Sequence, residues 1–348
     1  MQMSKISSAL VLGALLCSMS PAYATDIKIA TIAPNQSAWM GQMREAAKIV
    51  KERTAGRVNL KFYGGGVQGT PPKVLQKIKI GQLHGGMFAP MDFVKTYGDI
   101  NLYGLPFAFE SWQEMRYVRD QMDADLAAGF DKVNFATYGF VGSFSIMMSN
   151  EPVRNQSDMQ GKKVWLPEGD LITFEALKTL NLAPVSLPIT DVLTGLQTGL
   201  LDMAAIPPEV AIALQWHTRV KYFTDMPVLY AMSFLAIDKR TLRKLADDDQ
   251  AILTEVLSAA YKTMDTQSSI DSLDATEALV EIGIERIAPD EGELEDFVAK
   301  MGESNLTLAK NGLLPLELFE RMQGHINDYR AGTPESESGA TNGPPRVP

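Results

Sequence analysis

The residues able to do chemistry are few and scattered. His84, His217 and His325 lie far apart, and no HExxH pair joins them, so the sequence offers no zinc site. It contains no GxSxG elbow and no Walker loop. Asp247-Asp248-Asp249 lacks the alternating ligands and central glycine of a calcium loop. It reads instead as the acidic first turn of a helix, with Asp247 as its cap. Gly64-Gly65-Gly66-Val67-Gln68-Gly69 satisfies GxGxxG after a strand, with Asp92 downstream, which is the pattern of a dinucleotide cradle. Pro71 and Pro72 start the following helix after the last glycine, where a dinucleotide helix would already be under way. The loop therefore reads as a flexible lead into a helix. An enzyme needs a nucleophile, an acid–base pair or a metal. None is evident, so neither an activity nor a cofactor is expected.

The informative stretch is Gly161 to Pro208. An apolar segment, Lys163–Leu166, stops at Pro167, and a helical pattern follows from about Leu171 to Leu180. A second short strand, Pro184–Leu187, runs into Pro188 and the pair Thr190-Asp191, which can cap a helix to Thr198 that Gly199 ends. A third strand, Leu201–Ile206, ends in Pro207-Pro208. Strand, helix, strand, helix, strand builds a parallel sheet, and ligands sit beyond the carboxyl ends of such strands. Those ends are Trp165 to Pro167, Leu187-Pro188 and Ala204-Ala205-Ile206.

The flanks fit the same plan. Asp26–Ile32 and Val58–Tyr63 read as strands around a helix from Ser37 to Glu52. Lys73–Ile80 is a helix stopped by Gly81, His84–Pro90 a short strand, and a further helix runs from Ser111 or Trp112 to about Leu126. Thr137–Met148 and Tyr230–Asp238 are long β-type runs able to cross between domains. From Asp247 helical patterning continues to about Ile282 without Gly or Pro, long for one globular domain. Helices at Asp290–Ala309 and Leu316–Tyr329 follow.

The stretch from Gly161 resembles the solute-binding proteins of tripartite ATP-independent periplasmic (TRAP) transporters. The frame residues are Gly161, Lys162, Pro167, Pro184, Leu196, Gln197, Gly199, Asp202 and Pro207. The opening Ile27-Lys28, Ala30-Thr31, Ala33-Pro34, Ser37 and Trp39, the run Leu105 to Phe109, and Asp158 to Lys163 extend the likeness over most of the chain after residue 26. The family has the same glycine loop, which supports the plain reading of Gly64 to Gly69. The resemblance implies an α/β, two-domain periplasmic solute-binding fold, with hinge strands and a long helix spanning both domains. Domain I would hold residues 25–143 plus about 235–265, and domain II 144–234 plus about 266–330.

The departures fall on ligand-facing positions. Trp165 stands where the family usually has its carboxylate-binding Arg, and Ala204, Ala205 and Ile206 replace polar types. Trp offers an apolar face and one N–H, not a paired guanidinium. An apolar or aromatic-bodied solute is therefore expected rather than a carboxylate-anchored C4-dicarboxylate. Three other readings stay open: Lys163 or Arg219 supplies the missing cation, Trp165 packs in the core, or Glu168 and Asp170 meet a cationic or hydroxylated group. The expected substrate-binding residues are Trp165, Phe88, Trp39, Ile206, Ala204, Tyr230, Phe107, Phe144 and Glu168. Phe107 and Phe109 on spacing alone are core residues.

The chain has 348 residues, enough for two domains, and a formal net charge of −10, which argues against nucleic acid as a partner. Residues 1–24 read as a cleavable secretory signal, with Lys5, an apolar run Ile6–Leu16 too short to span a membrane, and a small-x-small site at Ala22-Tyr23-Ala24. Cleavage would remove Cys17, the only cysteine. Residues 331–348, rich in Gly, Pro, Ser, Thr and Glu, read as a disordered tail. The expected function is a periplasmic receptor that closes on a small organic solute and docks transiently on TRAP permease membrane subunits. A receptor serving a sensor or lipid carrier, and an extracytoplasmic enzyme, are the alternatives.

Overall fold

The computed structural model describes residues 24–332. The expected signal, apart from Ala24, and the expected tail, apart from Ala331 and Gly332, lie outside the described residues. Among the described residues no helix is long and apolar enough to cross a membrane.

The first half of the chain alternates β1 (Thr25–Ala30), α1 (Ala38–Arg53), β2 (Val58–Tyr63), α2 (Pro71–Lys79) and β3 (Gly85–Phe88), then α3 (Trp112–Lys132), β4 (Phe135–Ala136) and β5 (Phe140–Ser149). The second alternation is β6 (Lys163–Pro167), α4 (Leu171–Thr179), β7 (Ala183–Leu187), α5 (Val192–Thr198), β8 (Met203–Ile206) and α6 (Pro208–Ala213). Then come β9 (Tyr222–Asp238), α7 (Lys239–Leu242), α8 (Asp247–Glu281), β10 (Glu285–Ile287), α9 (Glu293–Lys310) and α10 (Leu316–Gly332). The sheet order is β2-β1-β3-β9-β5-β8-β6-β7, with β4 and β10 also on β9. β1, β2 and β3 are mutually parallel, as are β6, β7 and β8, and the antiparallel pair β5–β9 joins the two sets.

Breakers explain the boundaries. Ser37 caps α1, its Oγ accepting from the Met40 N–H at 3.3 Å. Asp170 caps α4 through the Thr173 N–H at 2.9 Å. Gly199 ends α5 with φ +70°, a left-handed conformation that glycine adopts without strain. Two expected caps differ. Asp191 holds the cap position of α5, but its carboxylate accepts from Thr190 Oγ1 instead of the helix. Asp247 is the first residue of α8, and Ala246 takes the cap position without a side-chain bond. β9 begins at Tyr222, well before the expected Tyr230. Pro227 falls where the β5–β9 register shifts, between the pairs Ser145↔Leu229 and Met147↔Thr224. Proline lacks the ladder N–H, and an irregular stretch is where a strand tolerates it.

Four apolar clusters flank the sheet, two on each half. In the first half, Phe93, Phe130, Phe140 and Phe234 pack with α3 on one face, while Ile27, Ile29, Val50 and Leu257 pack between α1 and α8 on the other. In the second half, Val164, Leu166, Leu177 and Met301 lie on the α4–α9 side, and Trp165, Ala204, Trp216 and Leu279 on the α5–α6 side. α8 feeds both halves, with Leu253 and Tyr261 in one core and Leu279 in another. α9 does likewise through Phe297 and Leu308. The last helix departs from the expected assignment. Phe319, Met322 and Ile326 of α10 are buried in the first half, and Arg330 bonds Glu114 of α3 at 2.8 Å.

Candidate functional site

The strand ends define a gap. β3 ends at Phe88, level with Phe234 and, across β9, with Phe140 of β5. β8 runs the opposite way and ends at Ile206, level with Ile146 of β5. Between Phe140 and Ile146, β5 therefore has β9 as its ladder partner, and the carboxyl ends of strands from both halves point at this bare stretch. That is where α/β sheets hold ligands. Side chains alternate there. Phe140 and Phe144 point into the aromatic core under α3, and Val141 packs toward the α8 side. Ser143 follows Val141 on that side, three residues from either strand end.

The expected site residues do not form one wall. Phe88, Phe144 and Tyr230 lie in the α3-side core, where Phe144 and Tyr230 meet Trp112 edge-on at centroid distances of 5.2 and 6.0 Å. Trp39, half-buried, sits edge-on to Phe62 beside the α1–α8 core. Phe107 stacks on Phe297 at 4.9 Å in the α4–α9 core, at the strained φ of +53°, and donates its N–H to the Val228 carbonyl at 2.7 Å. Ala204, Ile206 and Trp165 do share a core. Glu168 is exposed.

Trp165 is a core residue here. It is 6% exposed, lies edge-on to Trp216 at 5.1 Å, and donates its Nε1–H to the Leu187 carbonyl at 3.0 Å. The proposed replacement cations are engaged elsewhere. Lys163, at the amino end of β6, bonds the Gly199 carbonyl and lies 3.9 Å from Asp202. Arg219 Nε and Nη2 face the Gln197 side-chain amide, and with that amide turned to present its oxygen they donate to it at 3.1 and 3.2 Å. Asp170 is committed to capping α4.

Two charged side chains that periodicity did not single out stand at the crossing. Arg119 of α3 is 6% exposed. Its Nη1 donates to Tyr230 Oη at 2.8 Å and Asp265 at 2.6 Å, and its Nη2 to Asp123 at 2.8 Å and the Phe140 carbonyl at 3.1 Å. It ties α3, β9, α8 and β5 together. Glu209, in the first turn of α6 just past the end of β8, is the opposite case. Its buried Oε2 makes no hydrogen bond of normal geometry, and neither does the buried Oγ of Ser143, which lies near enough to act on the carboxyl. Burial pushes the Glu209 carboxyl up to about 7, against the pull of its own backbone N–H and of Ser143, and Asp271 of α8 pushes the same way. The signal available in sequence was a lone acid in the apolar run from Met203 to Leu214.

On the facing half, Asp92 lies beyond β3 and accepts the Ala89 N–H at 2.9 Å, with burial pushing its carboxyl up to about 6. The glycine loop after β2 is laced to the segment that follows β1. Gly65 and Gly66 donate their N–H groups to the carbonyls of Ala33 and Thr31 at 2.8 and 3.1 Å. Those donors are spent, so the loop is no phosphate cradle. A Cβ on Gly64 would lie 2.4 Å from Asn35 Oδ1, and one on Gly66 3.9 Å from Thr190 Cγ2 of the other half. The two halves thus approach each other at the mouth. A cavity of about 10 Å³, room for one water, remains between Thr31, Gly66, Met87 and Phe88. A larger groove, about 640 Å³ beside Asn134, Asp238 and Arg240, lies at the amino end of β3, away from the strand tips.

Known proteins share this plan. An uncharacterized protein of Salmonella typhimurium is 25% identical over 226 residues, 61% of this chain, and the chain spans 66% of that protein's length. The 2,3-diketo-L-gulonate-binding periplasmic protein YiaO of Escherichia coli is 22% identical over 242 residues, covering 69% of this chain and 74% of its own. The crystal structure of DctP7, a Bordetella pertussis extracytoplasmic solute receptor binding pyroglutamic acid, superposes with a TM-score of 0.80 over 87% of this chain and 100% of its own, at 16% identity. That likeness carries the two-domain fold with its crossing strands and bridging helix. The family model for bacterial extracellular solute-binding proteins, family 7, matches residues 29–310, and the chain belongs to that family of binding proteins.

Proposed function

We propose that this protein is the periplasmic receptor of a TRAP-type secondary transporter. It captures a small organic solute in the cleft between its halves and delivers it to membrane permease subunits, leaving again to reload. Export through the cleavable N-terminal segment brings it to that compartment. The observation that carries the reading is the convergence of strand ends from both halves on the bare stretch of β5 between Phe140 and Ile146. A cleft of this kind closes by hinge motion, and the near-contact of Gly66 with Thr190 is what closure would produce.

The solute is not a C4-dicarboxylate held by a strand-end arginine. Trp165 occupies that place, buried and committed to the Leu187 carbonyl. The named solutes of the relatives, 2,3-diketo-L-gulonate and pyroglutamic acid, support a compact, polar organic molecule. Thermal shift with a panel of sugar acids, cyclic amino acids, dicarboxylates and amines, followed by small-angle scattering of each hit, tests the reading. A receptor becomes more compact with its solute and leaves it chemically intact. Turnover of the bound compound without compaction would favour an enzyme.

A further inference from the structure

We propose that Glu209, assisted by Ser143, is the recognition point for a protonated amine on the solute, so that the receptor takes an amine-bearing small molecule. The inference rests on the receptor reading above and names the solute class for the same cleft.

Position comes first. Glu209 follows Pro207-Pro208 immediately past the tip of β8, and Ser143 lies on β5 midway between the tips of β3 and β8. The two side chains therefore meet where the strand ends of both halves point. Satisfaction comes next. A buried carboxylate oxygen and a buried hydroxyl that make no hydrogen bond of normal geometry each forgo the bonds they would make in water. Neither atom is needed to hold the fold. Arg119, at the same crossing, shows that this protein pairs a buried charge fully where structure is the purpose.

Charge decides the class. Among the described residues no lysine, arginine or histidine forms an ion pair with Glu209, and the nearest further charge acting on it is another acid, Asp271 of α8. The groups facing Glu209 are thus Ser143 from β5, Asp271 from α8 and its own backbone N–H. Such a place repels anions and is completed by a cation. An ammonium brings up to three donors on a compact charge. One can go to Glu209 Oε2 and one to Ser143 Oγ, satisfying both orphans at once. A neutral hydroxyl solute would satisfy hydrogen bonds but leave the charge uncompensated.

The experiment compares matched probes: γ-aminobutyrate, lysine, ethanolamine and putrescine against butyrate, caproate, ethylene glycol and butane-1,4-diol. Each is titrated by calorimetry into the exported protein, as wild type, Glu209→Gln and Ser143→Ala, at pH 6 and pH 8. The expected result is binding by at least one amine and not by its amine-free counterpart. Its affinity should fall at least tenfold in Glu209→Gln and less in Ser143→Ala. Capture of a cation by a carboxyl that is part-protonated when free expels a proton, so affinity should rise from pH 6 to pH 8. Three outcomes overturn the proposal: amine-free acids bind and tighten as pH falls, Glu209→Gln binds the amine as well as wild type, or no amine binds at either pH. Circular dichroism of the variants guards against misfolding. Compaction on binding an amine-free acid would sink the amine assignment and leave the receptor reading standing.

Discussion

Arg119 and Glu209 are two charges at one crossing, the first buried and the second half-buried with one buried carboxylate oxygen, and they are treated in opposite ways. The guanidinium is ringed by Tyr230, Asp265, Asp123 and the Phe140 carbonyl, and those groups outweigh burial in keeping it charged. The carboxyl is given one hydroxyl neighbour, an orphan oxygen and a second acid nearby. A saturated charge fixes elements in place; an unsaturated one stores a demand for a partner. The first therefore reads as a clamp and the second as a recognition point, although both act on the same strand, β5.

The widest difference should appear in stability. Arg119→Met strips partners from two aspartates. Because those aspartates are 32% and 31% exposed, solvent can take over part of the pairing, and the loss should sit near the low end for a buried pair, about 3 kcal/mol by urea denaturation. Glu209→Gln should cost nothing above pH 7. Equal losses in the two variants would erase the contrast.

The pH dependence sharpens it further. Glu209 titrates near 7 when folded and near the ordinary glutamate value when unfolded, so the folded state holds the proton between those values. Its contribution is full below the unfolded value and is lost as pH rises through about 7. Glu209→Gln should therefore gain stability on wild type between pH 5 and pH 8, by about 1 kcal/mol or more. Asp92 shifts the same way, but it is common to both proteins and cancels in the difference. A flat difference across that range would mean Glu209 is paired after all. The smallest effect belongs to Ser143→Ala, which removes a buried hydroxyl that makes no hydrogen bond of normal geometry and should leave stability unchanged or slightly raised. A loss comparable with Arg119→Met would place Ser143 in the structural network.

The frame was legible because its punctuation is strong. Pro167, Pro188, Gly199 and Pro207 stand at the boundaries of the second alternation, and the strands and helices between them fell within a residue or two of where they were expected. The unbroken run after Asp247 also pointed to one long helix, and α8 is that helix. The site was less legible, because a side chain's direction at a strand tip depends on partners far away in sequence. In sequence Trp165 reads as a cleft wall, whereas in the fold Trp216 and the Leu187 carbonyl claim it. Aromatic residues drew attention by size, while Ser143 and Glu209 carry no pattern that local spacing reveals. Only the register of β5 against β8 brings them together.

The 35-residue helix α8 has one more consequence. It spans about 52 Å, and its waist is packed through small side chains, Ser268, Ser269 and Ser272, all buried. Each half borrows one end of this rod for its own core, so neither half owns a complete interior. Melting either half would strip a wall from the other, and calorimetry should record a single endotherm whose van't Hoff and calorimetric enthalpies agree.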